Sequence, residues 1–336
     1  HVLRSKSVAI TDAEEEALYI AILLHDIGHG PFSHALEHTI AEDIDHEKLS
    51  LLFMQELNLE FDGKLDLAIS IFQHKYKRKF LHQLVSGQLD MDRLDYLRRD
   101  SFYTGVPEGN INSQRLIVML NVKDDQLVVE EKGVYSVEKF IVSRRLMYWQ
   151  VYLHKTSLVA EQLLLRLLQR AKELSRQGIA VPASSALSFF LKRTTDSNEF
   201  DLNTLKVFAQ LDDYDIISAM KEWVHSEDFV LSEISKMILN RQLLKIKVKN
   251  KPVSEEKVEK KTEEVANKHN LSLKEASYFV FRGAISNQAY RMDKDTINLI
   301  GENGKVVDVA KASDQLNIEA LSQEVVKYYL CYPKSH

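Results

Sequence analysis

The most informative segment of the chain is His25–His34, with the sequence HDIGHGPFSH. It follows a segment, Ala17–Leu24, whose apolar residues recur at helical spacing. Thr11 and Glu14 have the spacing of a capping box, which predicts where this helix begins. Gly28, Gly30 and Pro31 end it, so His25 and Asp26 are expected at the end of a helix, before a tight loop.

Composition limits the function classes. The 336 residues are enough for one large core with an appendage, or for two modest domains. A net charge of −5 provides no global basic field for nucleic acid. Cys331 is the single cysteine, which excludes a disulfide framework and a cysteine-rich zinc site. No signal peptide is visible and the apolar runs are too short to span a bilayer, so we expect a cytoplasmic protein.

The periodicity along the chain predicts a mainly α fold. A helical core with a small β-hairpin is expected, followed by further helices and a small C-terminal α+β subdomain. The predicted helices are 46–58, 63–74, 81–100, 136–175 (one helix or two abutting ones), several within 182–240, and 254–268. The predicted strands are a hairpin within 120–134 and the runs 244–248, 278–282, 297–300, 306–309 and 327–332. The predicted domains are 1–178, 179–240 and 241–336.

Histidines are concentrated in and just after His25–His34. Five of the twelve lie within 22 residues: His25, His29, His34, His38 and His46. Chance clustering on a polar surface is the simplest alternative. It explains poorly why the histidines follow an apolar helix and are interleaved with glycine and proline. Imidazole and carboxylate together are donors for divalent metal ions, so the cluster predicts a metal site.

A second informative stretch is Gln88–Asp100, which contains four aspartates and three arginines. On a helix, Asp92 and Tyr96 would lie on one face, and Asp92 could supply a metal ligand from outside the first stretch. A salt-bridged solvent face would explain these charges equally well if the stretch stood alone.

Together the two stretches, with His46-Glu47 between them, resemble the HD-domain deoxynucleoside triphosphate (dNTP) triphosphohydrolases. The chain is similar to the SAM-and-HD-domain enzyme and to its bacterial dGTPase-like relatives. The resemblance covers most of the chain and includes 144–155, 278–281 and 286–290. It implies hydrolysis of a dNTP to deoxynucleoside and triphosphate by metal-activated water at the α-phosphate.

The resemblance also implies roles for individual residues around the metal. One divalent ion (Mn, Mg, Fe, Zn or Ni) would be bound by His25, Asp26 and Asp92. A further histidine ligand is expected upstream of His1, and we assign no residue to it. The groups around the α-phosphate and the attacking water would be His29, His34, Glu37 and His46. His34 would act as general acid or electrostatic partner, oriented by Glu37.

The substrate contacts implied by the resemblance lie in two places. Arg93 would hold a phosphate, Tyr96 would pack on the sugar, and Asp100 would bind the 3′-hydroxyl. Arg144, Tyr148 and Tyr152 have i, i+4, i+8 spacing and would share one helix face that offers a cation to the γ-phosphate and rings to sugar and base. The alternative for this second group is a helix that packs its tyrosines in a core.

Two other functions remain open at this point. One is a different HD phosphohydrolase, acting on nucleoside monophosphates, alarmones or cyclic nucleotides. The other is a catalytically silent nucleotide-binding sensor. The string Asp90-Met-Asp92-Arg-Leu-Asp95-Tyr96 favours the triphosphohydrolase.

The expected partners are a nucleotide substrate and a nucleotide activator, with no membrane and no clear nucleic-acid binding. A homo-oligomer, dimer or tetramer, is also expected from the resemblance. Lys155 lies where an activator contact would fall, although a surface lysine is an equally good interpretation.

Overall fold

The computed structural model describes residues 1–35, 37–40, 44–193, 200–293, 295–314 and 318–334. Helices dominate, as the periodicity predicts. The helices are α1 (Val2–Ser5), α2 (Asp12–Leu24), α3 (Glu37–Ile40), α4 (His46–Glu60), α5 (Asp66–Phe72), α6 (Lys79–Val85), α7 (Met91–Thr104), α8 (Ser113–Met119), α9 (Val134–Met147), α10 (Lys155–Arg176), α11 (Ser185–Lys192), α12 (Leu202–Phe208), α13 (Asp213–Trp223), α14 (Phe229–Leu239), α15 (Glu255–His269), α16 (Leu273–Ala276), α17 (Val309–Ala312) and α18 (Ile318–Leu321). The strands are β1 (Leu120–Lys123), β2 (Gln126–Glu130), β3 (Lys245–Lys249), β4 (Phe281–Asn287), β5 (Asn298–Ile300), β6 (Val306–Asp308) and β7 (Val325–Tyr332). None of the helices in these ranges combines the length and the apolarity needed to cross a bilayer.

The chain groups into two compact units, each made of separate segments. Unit 1 consists of His1–His25, Met54–His154 and Ser286–Val325. Unit 2 consists of Asp26–Phe53, Lys155–Ile285 and Val326–His336. Each unit has its own hydrophobic core.

Unit 1 packs its helices around a core that includes the fully buried Phe80, Leu97 and Phe140. Its sheet has the order β1-β2-β5-β6. β1 and β2 form an antiparallel hairpin through Asp124 and Asp125, both left-handed, as a two-residue type I′ turn requires. The parallel pairing of β2 with β5 brings the distant segment 298–300 into this sheet.

Unit 2 is built around α10, whose buried apolar residues contact α11 and α14. Trp223 of α13 is completely buried in this core, and its indole N–H donates to the Pro182 carbonyl at 2.7 Å. A three-stranded sheet with the order β3-β7-β4 completes the unit.

The structure confirms the mainly α class and corrects several boundaries. The predicted helix 81–100 is two helices, α6 and α7, because Asp90 caps a new helix. The predicted strand 278–282 begins only at Phe281. The consecutive domains 1–178, 179–240 and 241–336 stay a prediction about domain boundaries. The contacts group the chain differently, since 286–325 belongs to unit 1 and the rest of 241–336 to unit 2.

Candidate functional site

The first group of predicted site residues lies in unit 1, where α2 ends. The Thr11–Glu14 capping box starts α2, as predicted, and His25 is its C-cap. The His25 Nδ1–H donates to the Ile22 carbonyl at 2.7 Å. This bond leaves Nε2 as the electron-pair donor of the neutral ring, and Nε2 lies 3.9 Å from Asp92 Oδ1.

Asp92 is placed by the start of α7. Asp90 is the N-cap of this helix and accepts the Arg93 backbone N–H at 2.7 Å and the Gly87 N–H at 3.0 Å. Asp90 as a whole residue is only 3% exposed. Burial raises the pKa of Asp90, and Arg93 and the two amides partly oppose this shift. Asp90 has no role that could be predicted from the sequence, because an aspartate inside a charged helical stretch looks like any other surface charge.

The side chain of Arg93, the predicted phosphate ligand, contacts the residues just before α7. Its Nε donates to the Gly87 carbonyl at 3.0 Å and lies 3.4 Å from Asp90 Oδ2. The guanidinium is therefore oriented by the residues that begin α7.

The predicted sugar and base contacts also come together in unit 1. The Tyr152 hydroxyl donates to Asp100 Oδ2 at 2.5 Å, and burial followed by this bond raises the pKa of Tyr152. The Tyr152 ring lies 6.1 Å from Tyr96 and 5.2 Å from Tyr148, edge-on in both cases. Burial also raises the pKa of Tyr96.

Arg144 lies next to this group of rings. Its Cζ lies 5.9 Å from the Tyr148 centroid, and Nη1 donates to the Ala289 carbonyl at 3.4 Å. Its buried Nε has no hydrogen-bond partner among the described residues. The predicted single helix face is in fact the end of α9 continued by one π-helical turn, Tyr148–Tyr152. Such turns are frequent at functional sites.

The second group lies in unit 2. Asp26 directly follows His25 in the chain, and its Oδ1 lies 3.8 Å from His29 Nε2. The ligand atoms of His29, His34 and His46 lie within 4.8 Å of one another. The rings of His29 and His46 are stacked with centroids 4.2 Å apart, and His34 stands edge-on to both.

Glu37 braces two of these imidazoles. The Nδ1–H of His46 donates to Oε1 at 2.5 Å and the Nδ1–H of His34 donates to Oε2 at 3.2 Å. The backbone N–H of His46 adds a third bond at 2.9 Å. Burial alone would raise the pKa of Glu37, but these hydrogen bonds outweigh it and lower the pKa to about 2. An ionised Glu37 fixes the tautomer in which both Nε2 atoms carry the free electron pair.

The surroundings of His29, the third imidazole of this cluster, favour its neutral form. Burial lowers the pKa of His29, and the neighbouring His46 and His34 lower it further. A carboxyl that the sequence analysis missed, Glu161 of α10, interacts electrostatically with His34, and burial raises its pKa. The side chain of His38 lies outside the described residues.

The loop backbone is fixed by close packing in unit 2. The buried Gly28 N–H donates to Ser50 Oγ of α4 at 2.9 Å. A Cβ on Gly28 would lie 2.3 Å from the His46 carbonyl oxygen. A Cβ on Gly30 would lie 2.9 Å from the Phe208 ring. Only glycine fits at Gly28, because backbone of α4 occupies the space of a side chain, whereas a side chain at position 30 would require the Phe208 ring to shift.

The donors in these groups fit a metal ion. His25 offers an imidazole Nε2 and Asp92 a carboxylate oxygen that faces it, and Asp26 supplies a second carboxylate next in the chain. Nitrogen and oxygen donors of this kind suit divalent ions such as Mn²⁺, Fe²⁺ and Zn²⁺. A cleft of about 860 Å³ in unit 1, lined by residues that include Glu130, Tyr135 and Asn303, contains none of the predicted site residues.

Comparison with known proteins agrees with this chemistry. The family model of the HD domain matches residues 1–100, and that of the HD-associated region matches 111–180. The uncharacterized protein YwfO of Bacillus subtilis is 31% identical over 96% of this chain and 75% of its own length. The deoxynucleoside triphosphate triphosphohydrolase SAMHD1 homolog of Dictyostelium discoideum is 32% identical over 44% of this chain and 32% of its own length.

A solved structure extends the likeness to nearly the whole chain. The crystal structure of a phosphohydrolase from Bacteroides thetaiotaomicron matches with a TM-score of 0.95 and 51% identity, over 99% of this chain and 83% of that one. The matched regions include both histidine-rich and aspartate-rich stretches. The chain therefore belongs to the HD-domain family and is a hydrolase of the HD phosphohydrolase superfamily.

Proposed function

We propose that the protein hydrolyses deoxynucleoside triphosphates to deoxynucleoside and triphosphate, in a reaction that requires a divalent metal ion. In this proposal His25, Asp26 and Asp92 hold the ion. His29, His34, Glu37 and His46 surround the α-phosphate and the attacking water. Arg93, Tyr96, Asp100, Arg144, Tyr148 and Tyr152 contact the substrate.

One observation carries the metal-dependent part. His25 Nε2 and Asp92 Oδ1 face each other at 3.9 Å, and in the neutral ring both atoms are electron-pair donors. This separation is too long for a hydrogen bond and short enough for one cation to contact both atoms. A divalent ion, when bound, polarises a phosphoryl oxygen and makes water a better nucleophile.

The histidines provide proton chemistry in the proposal. Glu37 holds the Nδ1–H of His34, so a protonated ring would present its Nε2–H to the departing 5′-oxygen. The His34 side chain is 70% exposed and therefore accessible to a substrate. His29, whose pKa is lowered by burial, would accept a hydrogen bond rather than supply a positive charge.

The nucleotide class is supported by the residues of unit 1 and by the relatives. Arg144 offers a positively charged guanidinium to a phosphate. Its buried Nε has no hydrogen-bond partner among the described residues and could donate to an anion. Asp100, already oriented by Tyr152, can accept a hydrogen bond from a sugar hydroxyl. The Dictyostelium relative carries the name of a deoxynucleoside triphosphate triphosphohydrolase.

The proposal is tested by a product assay with each of the four dNTPs and with manganese, magnesium or iron. Asp92→Ala removes a proposed ligand. Asp95→Ala, one turn further along α7, removes an exposed carboxylate that pairs with Arg99 and serves as the matched control. We expect deoxynucleoside and triphosphate from wild type and Asp95→Ala, and neither product from Asp92→Ala.

Two outcomes count against the proposal. Absence of turnover with every dNTP and metal, including a dNTP mixture as activator, would leave a silent sensor or another HD phosphohydrolase. Release of nucleoside monophosphate and pyrophosphate, or of inorganic phosphate, instead of triphosphate would show that a bond other than that between the α-phosphorus and the 5′-oxygen is broken.

Assembly and location remain predictions that accompany the proposal. We expect a homo-oligomer, which size-exclusion chromatography with light scattering would measure. The cytoplasmic location stays an expectation from the composition, and the nucleotide activator near Lys155 stays an expectation from the resemblance.

A further inference from the structure

The loop that carries His34 has an unusual backbone in unit 2. Phe32 and Ser33 are consecutive non-glycine residues with φ of 55° and 50°. This left-handed region is unfavourable for residues with a Cβ, because the Cβ crowds the following carbonyl oxygen. Such a conformation persists only where the surroundings enforce it.

The side chain of His34 is mostly exposed and makes few contacts with the protein. It is 70% exposed, and its ring is held through the hydrogen bond to Glu37 and the edge-on contacts to His29 and His46. His34 lies in a single 3₁₀ turn, Ser33–Ala35, directly after the left-handed pair. The position of this imidazole therefore depends on the loop backbone as well as on its hydrogen bond to Glu37.

A contact from a distant element fixes the backbone at the left-handed pair itself. The Phe32 N–H donates to Asp213 Oδ1 at 2.7 Å. Asp213 lies 181 residues further along the chain, in the first turn of α13. A carboxylate that accepts a backbone N–H makes a charge-assisted bond, which is stronger than a neutral one.

Asp213 is free to make this contact because another residue caps its helix. Asp212 is the N-cap of α13 and accepts the N–H groups of Tyr214 and Asp215. The Asp215 side chain completes a capping box by accepting the Asp212 N–H at 2.8 Å. The helix is anchored by Trp223, which is fully buried, so Asp213 is presented from a rigid element.

We propose that Asp213 is a positioning residue for the hydrolytic reaction. Its carboxylate holds the amide of Phe32, stabilises the left-handed pair, and so places the imidazole of His34. Asp213 touches neither substrate nor metal in this role and acts through the loop backbone alone. The inference rests on the proposed catalytic function of His34.

The kinetic test compares Asp213→Ala, Asp213→Asn and the control Glu222→Ala. Glu222 is an exposed carboxylate on the same helix, so its removal matches the loss of one charge. We expect Asp213→Ala to lower kcat roughly ten- to a hundredfold, with KM and bound metal unchanged, because a small misplacement of a catalytic group has an effect of this size. Asp213→Asn keeps an acceptor oxygen and should recover most of kcat, and Glu222→Ala should match wild type.

A second readout does not depend on turnover. The imidazole resonances of His34, assigned with a His34→Gln variant, are followed by NMR in metal-free, histidine-labelled protein. In Asp213→Ala they should shift or broaden, whereas those of His74 in unit 1 stay in place. In Asp213→Asn the His34 resonances should return towards their wild-type positions.

The two readouts separate failure of this inference from failure of the proposed function. If wild type hydrolyses no dNTP, the proposed function fails, and the His34 resonances alone decide the positioning role. Unmoved His34 resonances in Asp213→Ala overturn the inference whether or not the protein is active. A loss of kcat that Asp213→Asn does not restore overturns it as well.

Discussion

At the scale of single residues, Glu37 shows how one carboxylate organises the histidines of unit 2. It accepts three hydrogen bonds, two of them from imidazole rings. These bonds stabilise the charged form, so the pKa of Glu37 in the folded protein is about 2, compared with an ordinary 4.5. The depressed pKa links the geometry of the site to the stability of the fold.

Glu37→Gln is therefore expected to lower stability in a pH-dependent way. A carboxyl whose pKa falls on folding contributes stability above its unfolded pKa, and this contribution disappears as the pH falls through the folded pKa. The difference in Tm between wild type and Glu37→Gln should be largest at neutral pH and shrink between pH 4.5 and about 2. A difference that stays constant over this range would contradict the assigned hydrogen bonds. Glu47→Gln, an exposed carboxylate nearby, controls for the loss of a charge.

Gly28 gives a second prediction at this scale. Gly28→Ala would place a Cβ 2.3 Å from backbone atoms of α4, which no rotation of a side chain relieves. We expect a loss of roughly 3 kcal/mol or more in the free energy of unfolding, since overpacked sites must move backbone. In Gly178→Ala, by contrast, the new Cβ meets open space and only the left-handed backbone is strained, at a cost of about 1 kcal/mol. Urea unfolding of both variants measures the difference, and equal losses would refute the close packing of the loop on α4.

The residue types of the site could be predicted from sequence, but the residues that support them could not. Clustered histidines and aspartates indicate metal chemistry by their own functional groups. Ser50 and Asp213 are ordinary polar residues whose roles come from contacts with distant backbone amides. No local pattern distinguishes them from surface residues of the same type.

At the scale of elements, the start of α7 determines where Asp92 and Arg93 lie. From the sequence, one helix is predicted over 81–100, although Ser86 and Gly87 interrupt the helix-forming residues. The structure instead ends α6 at Val85, and Asp90 begins a new helix by accepting two backbone N–H groups. The π-helical turn at Tyr148–Tyr152 could not be predicted either, because its residues have the same spacing as in an α-helix.

Asp90 variants test this boundary. Asp90→Ala should cost roughly 2 kcal/mol in the free energy of unfolding, because both amides and the Arg93 guanidinium lose their acceptor. Asp90→Asn keeps one acceptor oxygen, for the Arg93 N–H, but turns an NH2 group towards the Gly87 N–H, so it should cost about 1 kcal/mol, less than Asp90→Ala. Chemical denaturation provides the measurement. If the two substitutions proved equally damaging, the carboxylate charge rather than the cap would be the important feature.

At the scale of the whole molecule, the metal donors predict linkage between metal and folding. An ion that binds only the folded chain stabilises it by about 2.7 kcal/mol when its free concentration is a hundred times Kd. We expect manganese or iron to raise Tm, a chelator to reverse the effect, and Asp92→Ala to abolish it. A wild-type Tm that does not respond to any divalent ion would argue against a folded-state site at His25 and Asp92.

The mainly α class follows from periodicity, because each amphipathic helix is encoded locally. The grouping of the chain into units does not follow, because it depends on pairings such as Val128 with Asn298. Contacts between segments this far apart leave no signature in a single stretch of sequence. The short strands β5 and β6 are recognisable as apolar runs, yet their partners are not.

The pairing of β2 with β5 has a consequence for synthesis of the protein. The ribosome adds about 5–20 residues per second. β2 is complete at Glu130 and β5 ends at Ile300, so the edge of β2 that pairs with β5 waits roughly 10–30 s for its partner at that rate. An unpaired strand edge invites pairing with other chains. Expression of this protein should therefore depend on chaperones that shield nascent chains, even though the finished fold buries that edge.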